Sequence, residues 1–202
     1  MRTALRIGAS VFAAIVGLGN DARGQEGGVV TAPGPNQVVS GEFRRTGAGF
    51  ACSGPKIILE IGERYCLRYG PLRVGMTRAE AEAVLGKPSA ETRDQDGEVF
   101  VYATEDMPVG KATTAPQFIA LSFDAEEKVS MLQSSGRRRQ RDWSFSSIHL
   151  ADSDDLARNL LGEPFSKSPV AENGAELWAY GPWPFTFEVK DHRVVSIRLQ
   201  PN

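Results

Sequence analysis

His149 and His192 are the chain's whole supply of imidazole, the group most often used for acid–base work at neutral pH. His149 precedes a helix-start sequence, and His192 sits in Lys190-Asp191-His192-Arg193, which has the composition of a hairpin turn. A nucleophile needs a base within reach and a third group to orient it. The chain contains no Gly-x-Ser-x-Gly, His-Glu-x-x-His or P-loop sequence. The carboxylate pairs Glu126-Glu127 and Asp154-Asp155 fall at a turn and at a helix start, where solvation and the helix dipole account for them. Two cysteines and two distant histidines supply too few soft ligands for a structural metal. The chain is therefore expected to be no enzyme and to carry no catalytic, cofactor-binding or metal-ligating residues.

Binding chemistry is the remaining class. Arg137-Arg138-Arg139-Gln140-Arg141 is the sharpest charge run. A solvated connector is the favoured reading. The functional alternative is contact with an anionic envelope surface, such as a lipid headgroup or an acidic protein face, since the guanidinium fork suits phosphate. Phe100, Tyr102, Trp178 and Tyr180 occupy strand sequences whose intervening residues, Val101, Leu177 and Ala179, are apolar too. Period two thus leaves open whether these aromatics form core or an exposed patch. Trp183 lies between Pro182 and Pro184 and is expected at the surface. Interfaces concentrate affinity in Trp, Tyr and Arg. The candidate interface is therefore Trp178, Tyr180, Trp183, Phe100 and Tyr102, with Arg137, Arg138, Arg139 and Arg141.

The 202 residues carry a formal charge of -2, a balance that argues against a general nucleic-acid binder. Arg2 and Arg6 precede an uncharged run from Ile7 to Leu18, the plan of a secretory signal peptide. The run falls short of the about 20 residues of a membrane span, and no later run qualifies. Ala22-Arg23-Gly24 places cleavage after residue 24, leaving 20 basic and 24 acidic residues and a mature charge of -4. Residues 25–50, rich in Gly, Pro, Gln and Ser, are expected to be a flexible linker. Export puts Cys52 and Cys66 in an oxidising compartment, where a disulfide is expected. Gly49-Phe50-Ala51-Cys52 lacks the Leu-like residue of a lipobox.

Beyond the linker the chain repeats itself. An offset of 76 aligns Thr77 with Ser153, Leu85 with Leu161, Gly86 with Gly162 and Pro88 with Pro164. Thr77-x-x-Glu80 is a capping box, Gly86 supplies a left-handed C′ position and Pro88 stops the helix. The second copy keeps this plan, except that Leu156 replaces the box glutamate. Strands are expected near Val99–Ala103, Gln117–Phe123 and Lys128–Gln133, then near Glu176–Tyr180, Phe185–Val189 and Val194–Leu199. The expectation is an α+β protein of two tandem units, each a short helix on a three- to four-stranded antiparallel sheet. The units span 51–136 and 137–202.

The run Val74-Gly75-Met76-Thr77, then Leu85-Gly86-x-Pro88, a Tyr-bearing strand and Phe123-Asp124, resembles the SmpA/OmlA (BamE-like) envelope-assembly lipoproteins. The tandem layout is similar to the β-lactamase inhibitor protein fold. The resemblance covers 56–134 and, more loosely, 143–202. It implies a non-catalytic periplasmic or secreted module that binds a protein partner in the cell envelope. The alternative it implies is a soluble inhibitor of a secreted or periplasmic enzyme, with the Met107–Lys111 loop as its plug. Non-reducing mass spectrometry of the exported chain is expected to find Cys52 and Cys66 joined; two free thiols would refute the pairing.

Overall fold

The computed structural model describes residues 41–47, 49–53, 66–94, 97–104, 117–140 and 143–201. The expected signal peptide, the Met107–Lys111 loop and Arg141 lie outside the described residues. Two short ladders come first. One is the hairpin of β1 (Glu42–Thr46) and β2 (Gly49–Ser53), the other that of β3 (Arg68–Tyr69) and β4 (Leu72–Arg73). Helix α1 (Arg78–Leu85) leads into β5 (Ala90–Asp94), β6 (Gly97–Ala103), β7 (Phe118–Phe123) and β8 (Val129–Ser135). Helix α2 (Asp154–Leu161) leads into β9 (Ser166–Val170), β10 (Ala175–Ala179), β11 (Phe185–Lys190) and β12 (Arg193–Leu199).

The helix ends follow their sequence signals. Thr77 accepts from Glu80 N–H, and the Glu80 carboxylate takes Thr77 N–H at 2.7 Å, closing the capping box. Ser153 Oγ accepts from Leu156 N–H at 3.2 Å. Gly86 and Gly162 cap the other ends with φ of 78° and 80°, but with ψ of -156° and -173°. This is the extended positive-φ region open essentially to glycine alone, not the left-handed helical C′ expected from sequence.

The main correction concerns the sheet. The strands form one eight-stranded antiparallel sheet in the order β5-β6-β7-β8-β12-β11-β10-β9, not two sheets of three or four strands. Two four-stranded meanders join where β12 pairs with β8, from Ser196↔Ser135 to Leu199↔Leu132. The outermost strands, β5 and β9, were not anticipated. An edge strand need not alternate apolar and polar residues, and Ala90–Asp94 and Ser166–Val170 do not. Pro169 on β9 and the charges of β5 blunt both edges against further pairing.

One face of the sheet carries a single core drawn from both halves. Its densest part is aromatic. Phe185 lies 5.0–5.5 Å, centroid to centroid, from Phe43, Phe50, Phe145 and Tyr180. Such pairs contribute roughly 0.5–1.5 kcal/mol each beyond their buried area. Phe43 and Phe50 belong to the β1–β2 hairpin, so the segment expected as linker to residue 50 ends in an anchored element. The turn Phe145–Ile148 holds that hairpin. Ser146 and Ser147 adopt positive φ, and Ser146 Oγ accepts from Phe43 N–H at 3.0 Å. The Cys52–Cys66 disulfide, with Cα atoms 5.7 Å apart, ties the hairpin back to the chain entering β3. The hairpin therefore packs on the second meander while bonded to the first half. The core does not divide at residue 136.

Phe50→Ala is expected to cost about 3 kcal/mol or more in chemical denaturation, the loss of a core residue. A loss under about 0.5 kcal/mol, the size of an ordinary surface substitution, would show the hairpin to be detached.

Candidate functional site

The expected interface aromatics lie in the core. Phe100, Tyr102, Trp178 and Tyr180 are 0–4% exposed, because they point to the face that the helices and hairpin cover. Val101, Leu177 and Ala179 take the opposite face. Cations close over two of the rings. The Arg78 guanidinium is 4.0 Å from the Phe100 centroid, and Lys167 Nζ is 4.5 Å from that of Trp178. Trp178 donates to Glu176 at 2.6 Å, and Tyr180 donates to the Gly162 carbonyl at 3.1 Å. Trp183 is half-buried edge-on against Phe50. A Cβ at Gly49 would sit 2.8 Å from its ring. Trp183 thus folds back over the hairpin, and its expected surface position is corrected.

The arginine run divides. Arg139 donates to Asp152 at 2.9 Å, and Arg137 reaches Asp191 at 3.9 Å. Arg138 is exposed. Gln140, in the middle of the run, is buried and accepts from Ser134 Oγ at 3.0 Å. Arg137 and Arg139 are exposed as well, as a solvated connector has them, while Gln140 pins the segment to Ser134.

The two histidines flank the start of α2. His149 Nδ1 lies 3.2 Å from Asp152 Oδ2, which also takes His149 N–H at 2.8 Å. His192 Nδ1 lies 3.2 Å from Asp154 Oδ2, with Arg158 at 3.3 Å from the same oxygen. Burial pushes the Asp152 carboxyl up, but the His149 N–H, Arg139 and the His149 ring together outweigh it and hold it below the ordinary carboxylate range. Asp154 is lowered in the same way, by His192 and Arg158 against its burial. These clusters do structural work at a helix start. Among the described residues, no group of three or more His, Cys, Asp or Glu could hold a metal ion.

The surface that sequence reasoning missed is apolar. Among the described residues the exposed large hydrophobic side chains are Leu156, Leu160 and Phe165. Leu156 and Leu160 are one turn apart on α2 and share its outward face. Phe165 follows four residues after the helix and is 57% exposed. One signal was available: Leu156 stands where the repeat calls for the polar glutamate of a capping box.

Residues 69–132 match the family model described as "Outer membrane protein assembly factor BamE domain". The match spans about a third of the chain, from β3 through β8, and supports a BamE/SmpA-like relationship for that part. No curated protein matches the chain. Among solved structures, it is similar to a DUF4309 family protein (YjgB) from Bacillus subtilis subsp. subtilis str. 168. The two are 12% identical over 62% of this chain and 78% of that one, with a TM-score of 0.36. Among the described residues no helix is long and apolar enough to cross a membrane.

The lowered Asp152 carboxyl makes a pH prediction. A folded-state value below the unfolded one stabilises the fold above about pH 4, and that gain is lost as acid protonates the group. Asp152→Asn is expected to lower stability at neutral pH and to flatten its fall on acidification. An acid-unfolding profile parallel to wild type would contradict this.

Proposed function

We propose that the protein is an exported, non-catalytic protein-binding module of the cell envelope, of the BamE-like type, and that it docks its partner through the outward stripe of α2. The observation that carries the docking site is the gathering of Leu156, Leu160 and Phe165 within ten residues; among the described residues they are the exposed large hydrophobic side chains. Leu156, Leu160 and Phe165 keep 36%, 38% and 57% of their surface in water, and covering that remainder in an interface recovers part of what a full burial gives, about 1.5–3 kcal/mol. The BamE domain match over 69–132 supports the assembly class of the role. The stripe lies outside that match, so partner choice rests with the second half. The inhibitor alternative depends on the Met107–Lys111 loop, which lies outside the described residues, and no observation favours it.

Site-specific photo-crosslinking in the producing cell tests the reading. A crosslinker at Leu160 is expected to give discrete adducts with envelope proteins, and one at exposed Lys87, just past the end of α1, is not. Leu160→Lys is expected to abolish partner recovery with little change in melting temperature, because lysine is a good helix former. Trp183→Ala should do the reverse, lowering the melting temperature by several degrees with recovery unchanged. Adducts from both positions alike, or from neither, would overturn the docking site.

A further inference from the structure

The β1–β2 hairpin carries Arg45 to the end of α2. Register pairs Arg45 with Phe50, and residues two apart in a strand share a face. Arg45 therefore lies on the same face as Phe43 and Phe50, the face that packs on the second meander. At the margin of that face its guanidinium fills the space that a Cβ on Gly162 would need. Gly162 is the C-cap of α2, and its carbonyl accepts from the Tyr180 hydroxyl at 3.1 Å. The negative end of the helix dipole favours a cation there.

The guanidinium is positioned and still available. Arg45 is exposed, and among the described residues no carboxylate pairs with it. Glu163, the acid next to Gly162, is taken by Arg158 at 3.7 Å and by Lys167 at 3.6 Å. The Arg45 atoms nearest the Gly162 space are Nη1, Cζ and Nε, which leaves Nη2 as the far arm of the fork. Gly162 stands two residues after Leu160 and three before Phe165. A single free cation thus borders the stripe of exposed large hydrophobic side chains.

We propose that Arg45 is the polar anchor of the α2 docking site, and that the partner segment seated on Leu156, Leu160 and Phe165 carries an acidic side chain beside its apolar ones. This rests on α2 being the docking face, and it names the chemistry of the segment that docks. Charge complementarity selects that segment. A guanidinium matches a carboxylate through two parallel N–H···O contacts, and one placed cation answers one placed anion. An anionic membrane surface fits less well. Asp155 and Glu163, with side chains 78% and 69% exposed, stand beside the same stripe and repel an extended layer of negative charge. Arg44 supplies an internal comparison. It faces the opposite side of the hairpin, is 70% exposed and lies 3.8 Å from Glu42.

The test places a benzophenone crosslinker at Leu160 in the full chain, in the producing cell, and maps the adducts to the partner's peptides by mass spectrometry. The crosslinked segment is expected to carry Asp or Glu within about four residues, one helical turn, of the labelled position. Arg45→Glu should cut adduct yield about tenfold or more. Arg45→Lys should retain part of the yield, since the charge stays and the fork is lost. Arg44→Glu should leave the yield unchanged. Arg45→Gln gives the same loss without placing a carboxylate at the helix end, and its melting temperature should match wild type. Undiminished yield in both Arg45→Glu and Arg45→Gln, equal losses from Arg44→Glu and Arg45→Glu, or adduct segments without an acid would overturn the acidic partner and leave the stripe standing. A yield loss that tracks a fall in melting temperature in both Arg45 variants would reduce Arg45 to a structural cap of α2. Adducts with lipid, or none at all from Leu160, would remove the docking face and this anchor together.

Discussion

The pairing of β12 with β8 is the interaction on which the rest of the architecture depends. Each helix is followed by a four-stranded meander, and a meander standing alone leaves its last strand as an open edge. Joining the last strands, from Leu132↔Leu199 to Ser135↔Ser196, removes two edges and makes one face wide enough for a common core. The chain must then travel from the end of β8 to the start of α2 across that face. The route is fixed by Gly136 N–H on the Val195 carbonyl at 2.9 Å, by Gln140 on Ser134 and by Arg139 on Asp152. The polar ladder of Gln133, Ser135 and Ser196 closes the seam on the opposite face. A hydrophobic seam there would have made a second sticky face; a hydrogen-bonded one does not.

The single core also explains the N-terminal hairpin. The aromatic rings of the second meander, Tyr180, Phe185 and Phe187, are too many for α2 to cover, since that eight-residue helix buries only Asp154, Ala157 and Leu161. Phe43 and Phe50 complete the cover. Their ladder register puts them on one face with Cys52. The disulfide therefore links the lid of one half to the first strand of the other. In the chain-entropy account, a loop of this size is worth about 3 kcal/mol. That contribution falls where the chain would otherwise rely on side-chain packing alone.

Punctuation was legible in the sequence and facing was not. Thr77, Glu80 and Ser153 cap backbone N–H groups three residues away, and the two glycines and two prolines set their own backbone, so their signal is local. The inner strands carried β-rich composition and were placed to within a few residues. What failed depended on partners distant in sequence. Val99-Phe100-Val101-Tyr102 is apolar at every position, so alternation could not tell which side meets the helices. Phe43 and Phe50 sit among Gly, Arg and Thr, a composition that resembles a linker until their contacts with Phe185 are known. The interface reading of Trp178 and Tyr180 failed for the same reason. An aromatic residue is the strongest anchor for an interface and for a core alike, and only the fold decides between them.

The two helices differ most where their aligned sequences differ. At the offset of 76, Ala81 and Ala157 are both fully buried, as the shared frame requires. Glu80 faces Leu156, and Val84 faces Leu160. On α1 the glutamate closes the capping box and Val84 turns to the wall of a cavity beside Tyr102. On α2 the N-cap serine keeps its bond to the Leu156 N–H, while the N3 carboxylate that takes the N-cap N–H on α1 has no counterpart at Leu156. That position carries a leucine that the fold leaves exposed. That leucine keeps 36% of its surface in water, where an apolar side chain costs free energy. Two helices of the same length, capped alike, thus present different faces on one sheet: Val84 of α1 lines the cavity beside Tyr102, and Leu156 and Leu160 of α2 stay partly in water.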